Sequence, residues 1–214
     1  YSTGCGHAVI ALTNAFIETG LIKKTEPVTK LSMDVPSGLI HSFAEIKDGE
    51  ITTIGFRNVP SFVQKMDAII DLPGFGNIRY DLAYGGAYYA FVDVAQFDLD
   101  CSQEHHDELI AMGMLIKKTI AKSIKIDHPT KPEMNFLYGT IFTSSPKDSR
   151  NHSRNVCIFA EGEVDRSPTG TGVSARAAIH YARGEISIGE SITIESIIGS
   201  TFSVKVDEIT TFGK

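Results

Sequence analysis

The order of apolar and polar residues predicts many short strands and a few helices. Strands are expected where β-branched or alternating apolar residues run between glycines and prolines. These strands cover residues 31–35, 43–47, 50–56, 87–94, 134–142, 155–159 and 201–208. A helix is expected over residues 103–121, because Leu109, Met112, Leu115 and Ile116 recur at helical spacing.

Two further helices are predicted to begin at Cys5 and Thr169, because the sequence repeats around them. CGHAVIA aligns with TGTGVSA through a shared glycine, valine and alanine. Gly20 and Gly184 then follow at the same offset, where a left-handed residue can end a helix. We interpret this match as an internal duplication that makes two similar halves.

The duplication predicts an α/β (α+β) fold of two halves, each with strands wrapped around a central helix and the active site in the cleft between them. Residues 1–75 form the first half with the Cys5 helix, and 76–214 form the second with the Thr169 helix. Strands are predicted before the second helix but not before the first, so the first half is expected to be incomplete. Its helix should then expose Val9, Leu12 or Phe16. The sequence leaves open whether the last residues of the chain return to the first half.

Composition narrows the class of protein. The chain of 214 residues carries a net charge of −6, which argues against nucleic acid or a membrane surface as a partner. No apolar stretch approaches the roughly 20 residues that span a bilayer. Three cysteines and a start at Tyr1 without a charged and apolar leader predict a cytoplasmic protein, and this start also suggests a fragment.

The two helix starts are the candidate sites of chemistry. Free N–H groups and the positive end of the helix dipole bind a carboxylate or phosphate, and the same field favours a thiolate. Cys5 is therefore predicted to act as a base or nucleophile. The alternative is a small buried side chain, the usual fate of a free cysteine, but Gly4, Gly6 and His7 make an open setting. Cys157 lies in an apolar strand and is predicted to be core.

Two other patterns are weaker. Residues 170–175 fit the dinucleotide-binding G-x-G-x-x-A, but the preceding strand ends too far upstream for the tight turn that this site needs. A group of metal-ligand residue types occurs near the helix at residue 103, but adjacent histidines point to different sides of a helix. Its members, predicted to be a solvated helix start and not a metal site, are Cys101, Glu104, His105, His106 and Asp107.

The stretches STGCGHAVIAL, DVPSG, NVPSF, YGGAYYAFVD and VDRSPTGTGVSARAA resemble the proline racemase family, in order and over almost the whole chain. The resemblance implies a diaminopimelate epimerase-like fold, a small amino-acid substrate and no cofactor, and it leaves a homodimer open. Racemases and hydroxyproline epimerases of this family have cysteine at both helix starts. Cys5 paired with Thr169 is instead the arrangement associated with trans-3-hydroxy-L-proline dehydratases.

The resemblance also implies the substrate contacts. Gly6, His7, Gly170 and Thr171 would line the substrate, with their backbone N–H groups on its carboxylate. Asp165 would bind the ring amine, with an ordinary turn aspartate as the alternative. His7 would orient the amine or hydroxyl, or else cap its helix.

The Cys5/Thr169 difference has a physical consequence. Racemisation needs a proton-transfer group on each face of the α-carbon, and a threonine hydroxyl is too weak an acid and base for this task. Together with the resemblance, which implies the substrate, this difference predicts dehydration of trans-3-hydroxy-L-proline to pyrroline-2-carboxylate, with Cys5 as the base. The alternatives are a proline racemase or 4-hydroxyproline epimerase, and an inactive fragment or binding remnant of the fold.

Overall fold

The computed structural model describes residues 3–211 and contains two compact units. The first unit ends at Val59 and the second begins at Pro60. This division lies earlier than the boundary expected near residue 75. Phe62–Leu72 and Gly76–Tyr84 form an antiparallel hairpin, so the turn at residue 75 joins two strands of one unit.

Residues 3–211 contain three α-helices and eleven β-strands, so the protein is of the mixed α/β class that was predicted. The helices are α1 (Gly6–Glu18), α2 (His106–Ser123) and α3 (Gly170–Ala182). The strands are β1 (Val28–Val35), β2 (Gly38–Lys47), β3 (Glu50–Arg57), β4 (Phe62–Leu72), β5 (Gly76–Tyr84), β6 (Tyr88–Asp93), β7 (Leu137–Ser144), β8 (Ser153–Phe159), β9 (Glu163–Val164), β10 (Ser191–Glu195) and β11 (Thr201–Lys205).

The first unit packs α1 against a three-stranded antiparallel sheet. The strand order is β1–β2–β3, and α1 contacts β2 and β3. Alternate residues of β2 are buried from Ile40 to Ile46, as expected for a strand with one covered face. Leu12 on α1 is 44% exposed, whereas Val9 is buried. The prediction that the helix exposes Val9, Leu12 or Phe16 is confirmed by Leu12, because part of the helix surface lacks a covering strand.

The second unit curls a sheet around α3. Its eight strands include the path β11–β10–β8–β7–β6–β5–β4, with β9 paired to β8. Helix α3 contacts β4 and β11, which lie at opposite ends of that path. The sheet must therefore bend around the helix, as predicted for a half with a central helix.

Helix α2 covers the other face of this sheet. It connects β6 to β7, which are parallel and so need a crossover. Ile141 and Cys157 pack with residues of α3, whereas the Thr140 hydroxyl donates to the Gly113 carbonyl of α2. The neighbouring residues Thr140 and Ile141 of β7 thus lie on opposite faces of the sheet, one towards α2 and the other towards α3.

The two central helices differ in how completely they are covered. Nine of the thirteen residues of α3 are buried, against four of the thirteen residues of α1. The second unit thus covers its central helix on most sides, including the first residues of α3.

A buried ion pair fixes the loop after β7. Glu195 and Arg154 are 2% and 6% exposed, and Arg154 Nη2 lies 2.8 Å from Glu195 Oε2. The Glu195 carboxylate also accepts hydrogen bonds from the Asn151 side-chain amide and from the backbone N–H groups of Lys147 and Asp148. Burial acts to raise the pKa of Glu195, but these hydrogen bonds outweigh it and lower the pKa to about 2.

Replacing Glu195 with alanine is expected to lower the free energy of unfolding by about 3–5 kcal/mol, because Arg154 would remain as an unpaired buried charge. The folded pKa near 2 lies below the reference value of 4.5. The stabilisation is therefore complete above pH 4.5 and is lost as the pH falls towards 2. Denaturant unfolding at several pH values measures both effects. Asp207→Ala, which removes the exposed pair with Lys205, is the control and should change stability little.

Candidate active site

The two predicted helix starts are built alike. Cys5 is the N-cap residue of α1, and Thr169 is the N-cap residue of α3. After the last turn, Gly20 and Gly184 have left-handed φ angles of +75° and +73°. Glycine adopts this conformation where it ends a helix. The structure thus confirms the repeated start and stop signals of the sequence.

Neither N-cap side chain caps its own helix. In most helices an N-cap oxygen accepts one of the first backbone N–H groups. Cys5 has no oxygen to offer, and the Thr169 hydroxyl instead donates to Asp165 Oδ2 at 3.0 Å. Both helices therefore begin with first-turn N–H groups and a positive dipole end that suit an anion.

Cys5 is a free and partly exposed thiol at the start of the first unit's helix. The Val9 N–H donates to its carbonyl at 3.1 Å and begins the helix. Upstream, the Ser37 N–H donates to the Thr3 carbonyl at 2.8 Å, so the DVPSG turn between β1 and β2 anchors the segment before Cys5. His7 is exposed in the first turn, and its role as a substrate contact stays a prediction.

Asp165 closes the turn that leads into α3. Its Oδ1 accepts the Ser167 N–H at 2.8 Å, and its Oδ2 accepts the Thr169 hydroxyl at 3.0 Å. Asp165 therefore has the turn role that the sequence left as an alternative. A carboxylate has further lone pairs, so its predicted contact with a ring amine is compatible with this turn.

Thr169 has a strained backbone. Its φ is +69° and its ψ is +99°. A positive φ is unusual for any residue except glycine and is a genuine outlier for a β-branched one. Such conformations cost about 1–3 kcal/mol and occur where the surrounding structure imposes them, often at functional sites.

Tyr89 is a residue of this region that the sequence analysis did not assign. Its hydroxyl lies 2.7 Å from Thr171 Oγ1. Burial, reinforced by Cys157, raises the pKa of Tyr89 well above its usual value, so the group stays a neutral hydroxyl. Because Tyr89 engages the Thr171 side chain, the backbone N–H of Thr171 is the group suited to a substrate.

Cys157 lies beside Thr169 in the second unit and is 1% exposed. Burial raises the pKa of this thiol, and the charge of Asp165 adds to the effect, while a hydrogen bond with Thr169 opposes it. A thiol in this environment stays protonated at neutral pH. The prediction that Cys157 belongs to the core is confirmed.

Two glycines let protein groups approach the first turns of α3. A Cβ atom on Gly85 would lie 2.2 Å from the Thr171 carbonyl oxygen and 2.6 Å from the Ala175 nitrogen. One on Gly172 would lie 2.5 Å from Ile141 Cδ1. Gly172 thus makes room for the Ile141 side chain of β7.

The residues near 103 do not converge. His105 Nδ1 lies 3.0 Å from Asp100, whereas His106 Nδ1 lies 2.8 Å from Asp107. Over residues 3–211 there is no group of three or more His, Cys, Asp or Glu side chains placed to hold one metal ion. Within the same residues, no helix has both the length and the apolar character needed to cross a membrane.

Comparisons with known proteins agree with the predicted resemblance. The family model described as Proline racemase matches residues 1–214. Over 212 residues the chain is 46% identical to a trans-3-hydroxy-L-proline dehydratase of Colwellia psychrerythraea, covering 99% of this chain and 60% of that protein. It is 41% identical over 213 residues to a 3-hydroxyproline 2-epimerase of Burkholderia multivorans, covering 100% of this chain and 64% of that protein.

A solved structure is similar too. The hydroxyproline epimerase of Agrobacterium vitis with bound trans-4-OH-L-proline matches with a TM-score of 0.92 and 37% identity. The match covers 98% of this chain and 61% of that one, so the chain spans less than two thirds of the length of these relatives. With a family model that matches all 214 residues, the chain belongs to the proline racemase family.

Proposed function

We propose that the protein dehydrates trans-3-hydroxy-L-proline to pyrroline-2-carboxylate, with Cys5 as the catalytic base. The observation that carries the proposal is the pair of helix starts, one with a partly exposed thiol and the other with a threonine. The similarity to the Colwellia dehydratase at 46% identity supports it. The proposal requires Cys5 and Thr169 to act on the same substrate molecule, as the family pattern implies.

In the proposed reaction the Cys5 thiolate removes the α-proton of the substrate. The electron pair left on the α-carbon spreads into the carboxylate, whose growing charge is stabilised by first-turn N–H groups, including those of Gly6, Gly170 and Thr171. The same electron pair then forms the double bond between the α-carbon and C3 as the C3–O bond breaks. The Cys5 thiol returns its proton to the departing hydroxyl, which leaves as water.

The stereochemistry of the substrate allows one group to perform both proton transfers. In trans-3-hydroxy-L-proline the carboxylate and hydroxyl lie on opposite faces of the ring, so the α-hydrogen and the hydroxyl share a face. A single thiol on that face suffices for this syn elimination. The ring nitrogen then loses a proton to give the neutral enamine, which takes up a proton at C3 from water and loses the remaining proton from nitrogen to become the cyclic imine.

Asp165 is the proposed partner of the ring ammonium. Its carboxylate is held by Ser167 and Thr169, so its position is fixed before a substrate binds. An ion pair at this place would keep the amine charged, which favours loss of the neighbouring α-proton. His7 is proposed to contact the hydroxyl or amine from the start of α1.

A racemase or epimerase is the second candidate, favoured by the similarity to the Burkholderia epimerase. Against it stands Thr169, whose hydroxyl proton is engaged by Asp165. A catalytically silent binding protein is the third candidate. Because all three cysteines are free thiols, we also propose a reducing compartment such as the cytoplasm.

Conversion of trans-3-hydroxy-L-proline by the full chain should release one water per molecule and give pyrroline-2-carboxylate, detectable by NMR and mass spectrometry. The cis isomer should not be dehydrated, because its α-hydrogen and hydroxyl lie on opposite faces. L-Proline and trans-4-hydroxy-L-proline test for inversion at the α-carbon. Inversion without water loss would establish the epimerase instead, and binding without either reaction would establish the non-enzymatic candidate.

A further inference from the structure

Buried hydrogen bonds link the middle of α3 to the turn that precedes the helix. Arg176 Nη1 donates to Asn155 Oδ1 at 2.8 Å, and Asn155 Nδ2 donates to the Pro168 carbonyl at 3.1 Å. Asn155 is 0% exposed and Arg176 is 8% exposed. A guanidinium can only donate and a carbonyl can only accept, so these two partners fix the orientation of the Asn155 amide.

The peptide group between Pro168 and Thr169 is held at both of its polar atoms. Asn155 binds its carbonyl, and its N–H donates to Ser167 Oγ at 3.1 Å. The following peptide group is fixed as well, because the Thr169 carbonyl accepts the Val173 N–H at 2.8 Å. With the peptide planes on both sides anchored, Thr169 is left with its φ of +69°.

Burying the positive charge of Arg176 costs free energy. Its hydrogen bonds go to the Asn155 amide, the Arg154 carbonyl at 3.5 Å and His180 Nε2 at 3.1 Å. None of these three acceptors is a carboxylate, so the buried cation gains no directly bonded counter-charge. Burial lowers the pKa of Arg176 to about 10. Its guanidinium nevertheless orients the Asn155 amide, which gives a structural reason for an arginine at this position of α3.

We propose that Asn155 and Arg176 are positioning residues for the helix start at Thr169, and this inference rests on the proposed function. They hold the Pro168–Thr169 peptide so that the Thr169 side chain and the first N–H groups of α3 are oriented before the substrate carboxylate arrives. Neither residue needs to touch the substrate. Their contribution is preorganisation, because a displaced helix start binds the developing charge less well.

Asn155→Asp is the sharpest test. The new side chain keeps its size and an oxygen for Arg176, but it places an oxygen instead of an N–H donor against the Pro168 carbonyl. We expect affinity for pyrrole-2-carboxylate, a flat ring acid with a trigonal α-carbon, to fall by roughly tenfold or more. Turnover, as kcat/KM for trans-3-hydroxy-L-proline, should fall by roughly 100-fold, because kcat falls and KM rises.

Two variants separate positioning from general stability. Arg176→Lys keeps the positive charge but loses the planar fork, so it should have a smaller effect in the same direction. Glu195→Gln weakens the ion pair of Arg154, the residue before Asn155 in β8, without touching the Pro168 peptide. It should lower thermal stability while leaving ligand affinity and kcat/KM unchanged.

The proposal is wrong if folded Asn155→Asp binds pyrrole-2-carboxylate and turns over as the parent does. If Asn155→Asp fails to fold, a crystal structure of the parent decides: a negative φ at Thr169, or a Pro168 carbonyl not bound by Asn155, overturns the proposal. If the parent binds the ring acid but leaves hydroxyproline unchanged, the proposed function fails alone. The affinities of the parent and the variants for pyrrole-2-carboxylate, with the parent structure, then still test the positioning role.

Discussion

Replacing Cys5 with serine is expected to abolish exchange of the substrate α-proton with deuterated water. Serine nearly preserves the size of the side chain but cannot form an anion at neutral pH, so the base is lost. General bases contribute roughly 10²–10⁴-fold to proton transfer, and the exchange rate should fall by at least that factor. Binding of pyrrole-2-carboxylate should persist, because the helix-start N–H groups are unchanged. NMR measures exchange, and calorimetry measures binding.

Cys101→Ser is the matched control for this experiment. It makes the same chemical change at a thiol that is 2% exposed in the second unit and belongs to neither helix start. Cys157 is a poorer control, because its thiol is hydrogen-bonded with Thr169. Exchange at a parental rate in Cys5→Ser would place the base elsewhere, and His7 would be the first residue to test.

The helices were predictable because their ends are encoded locally. Helix α1 begins directly after Cys5 and ends two residues before Gly20, and α3 repeats this arrangement after Thr169. An N-cap residue and a left-handed glycine act within one turn of the helix, so a short window of sequence contains the whole signal. The duplicated sequence therefore identified both helix starts before any tertiary contact was known.

Strand β4 was missed because its alternation is broken. The register of β4 against β5 shifts between Val63 and Lys65 and again between Lys65 and Ala68. Asp67, inside this stretch, has a φ of +50°, and residues 65–67 are all exposed. Strand prediction relies on a period of two, and bulges remove that period. The missed hairpin is also why the boundary was expected near residue 75.

The hydrogen bonds that support the start of α3 could not be predicted from the sequence, for a different reason. Tyr89 and Thr171 lie 82 positions apart, and Arg176 and Asn155 lie 21 positions apart. No local pattern reports a hydrogen bond between residues on separate elements. One clue was available: Arg176 is a charged residue in a helix rich in small and apolar side chains, which suggests that its charge has a buried task.

Replacing Thr169 with cysteine is expected to add racemisation of proline or epimerisation of 4-hydroxyproline to the full chain. The change restores a proton-transfer group at the second helix start, where the parent has only a hydroxyl. Threonine and cysteine differ little in volume, and cysteine lacks the β-branch that strains a positive φ, so the variant should fold. The Asp165 carboxylate, 3.0 Å from the Thr169 hydroxyl, disfavours a second thiolate and suits the new group to donate a proton.

The size of this gain follows from acid catalysis. A well-placed acid contributes roughly 10²–10⁴-fold, so inversion should rise by about that factor over the parent, and dehydration should become less clean. Chiral chromatography measures inversion, with reductant present because Cys157 is hydrogen-bonded to the substituted residue. Adding Cys5→Ser to the same chain should remove inversion again, since two faces then have one thiol. If the folded variant gives no inversion, the cysteine/threonine difference does not separate the two reactions, and the shape of the substrate pocket must do so.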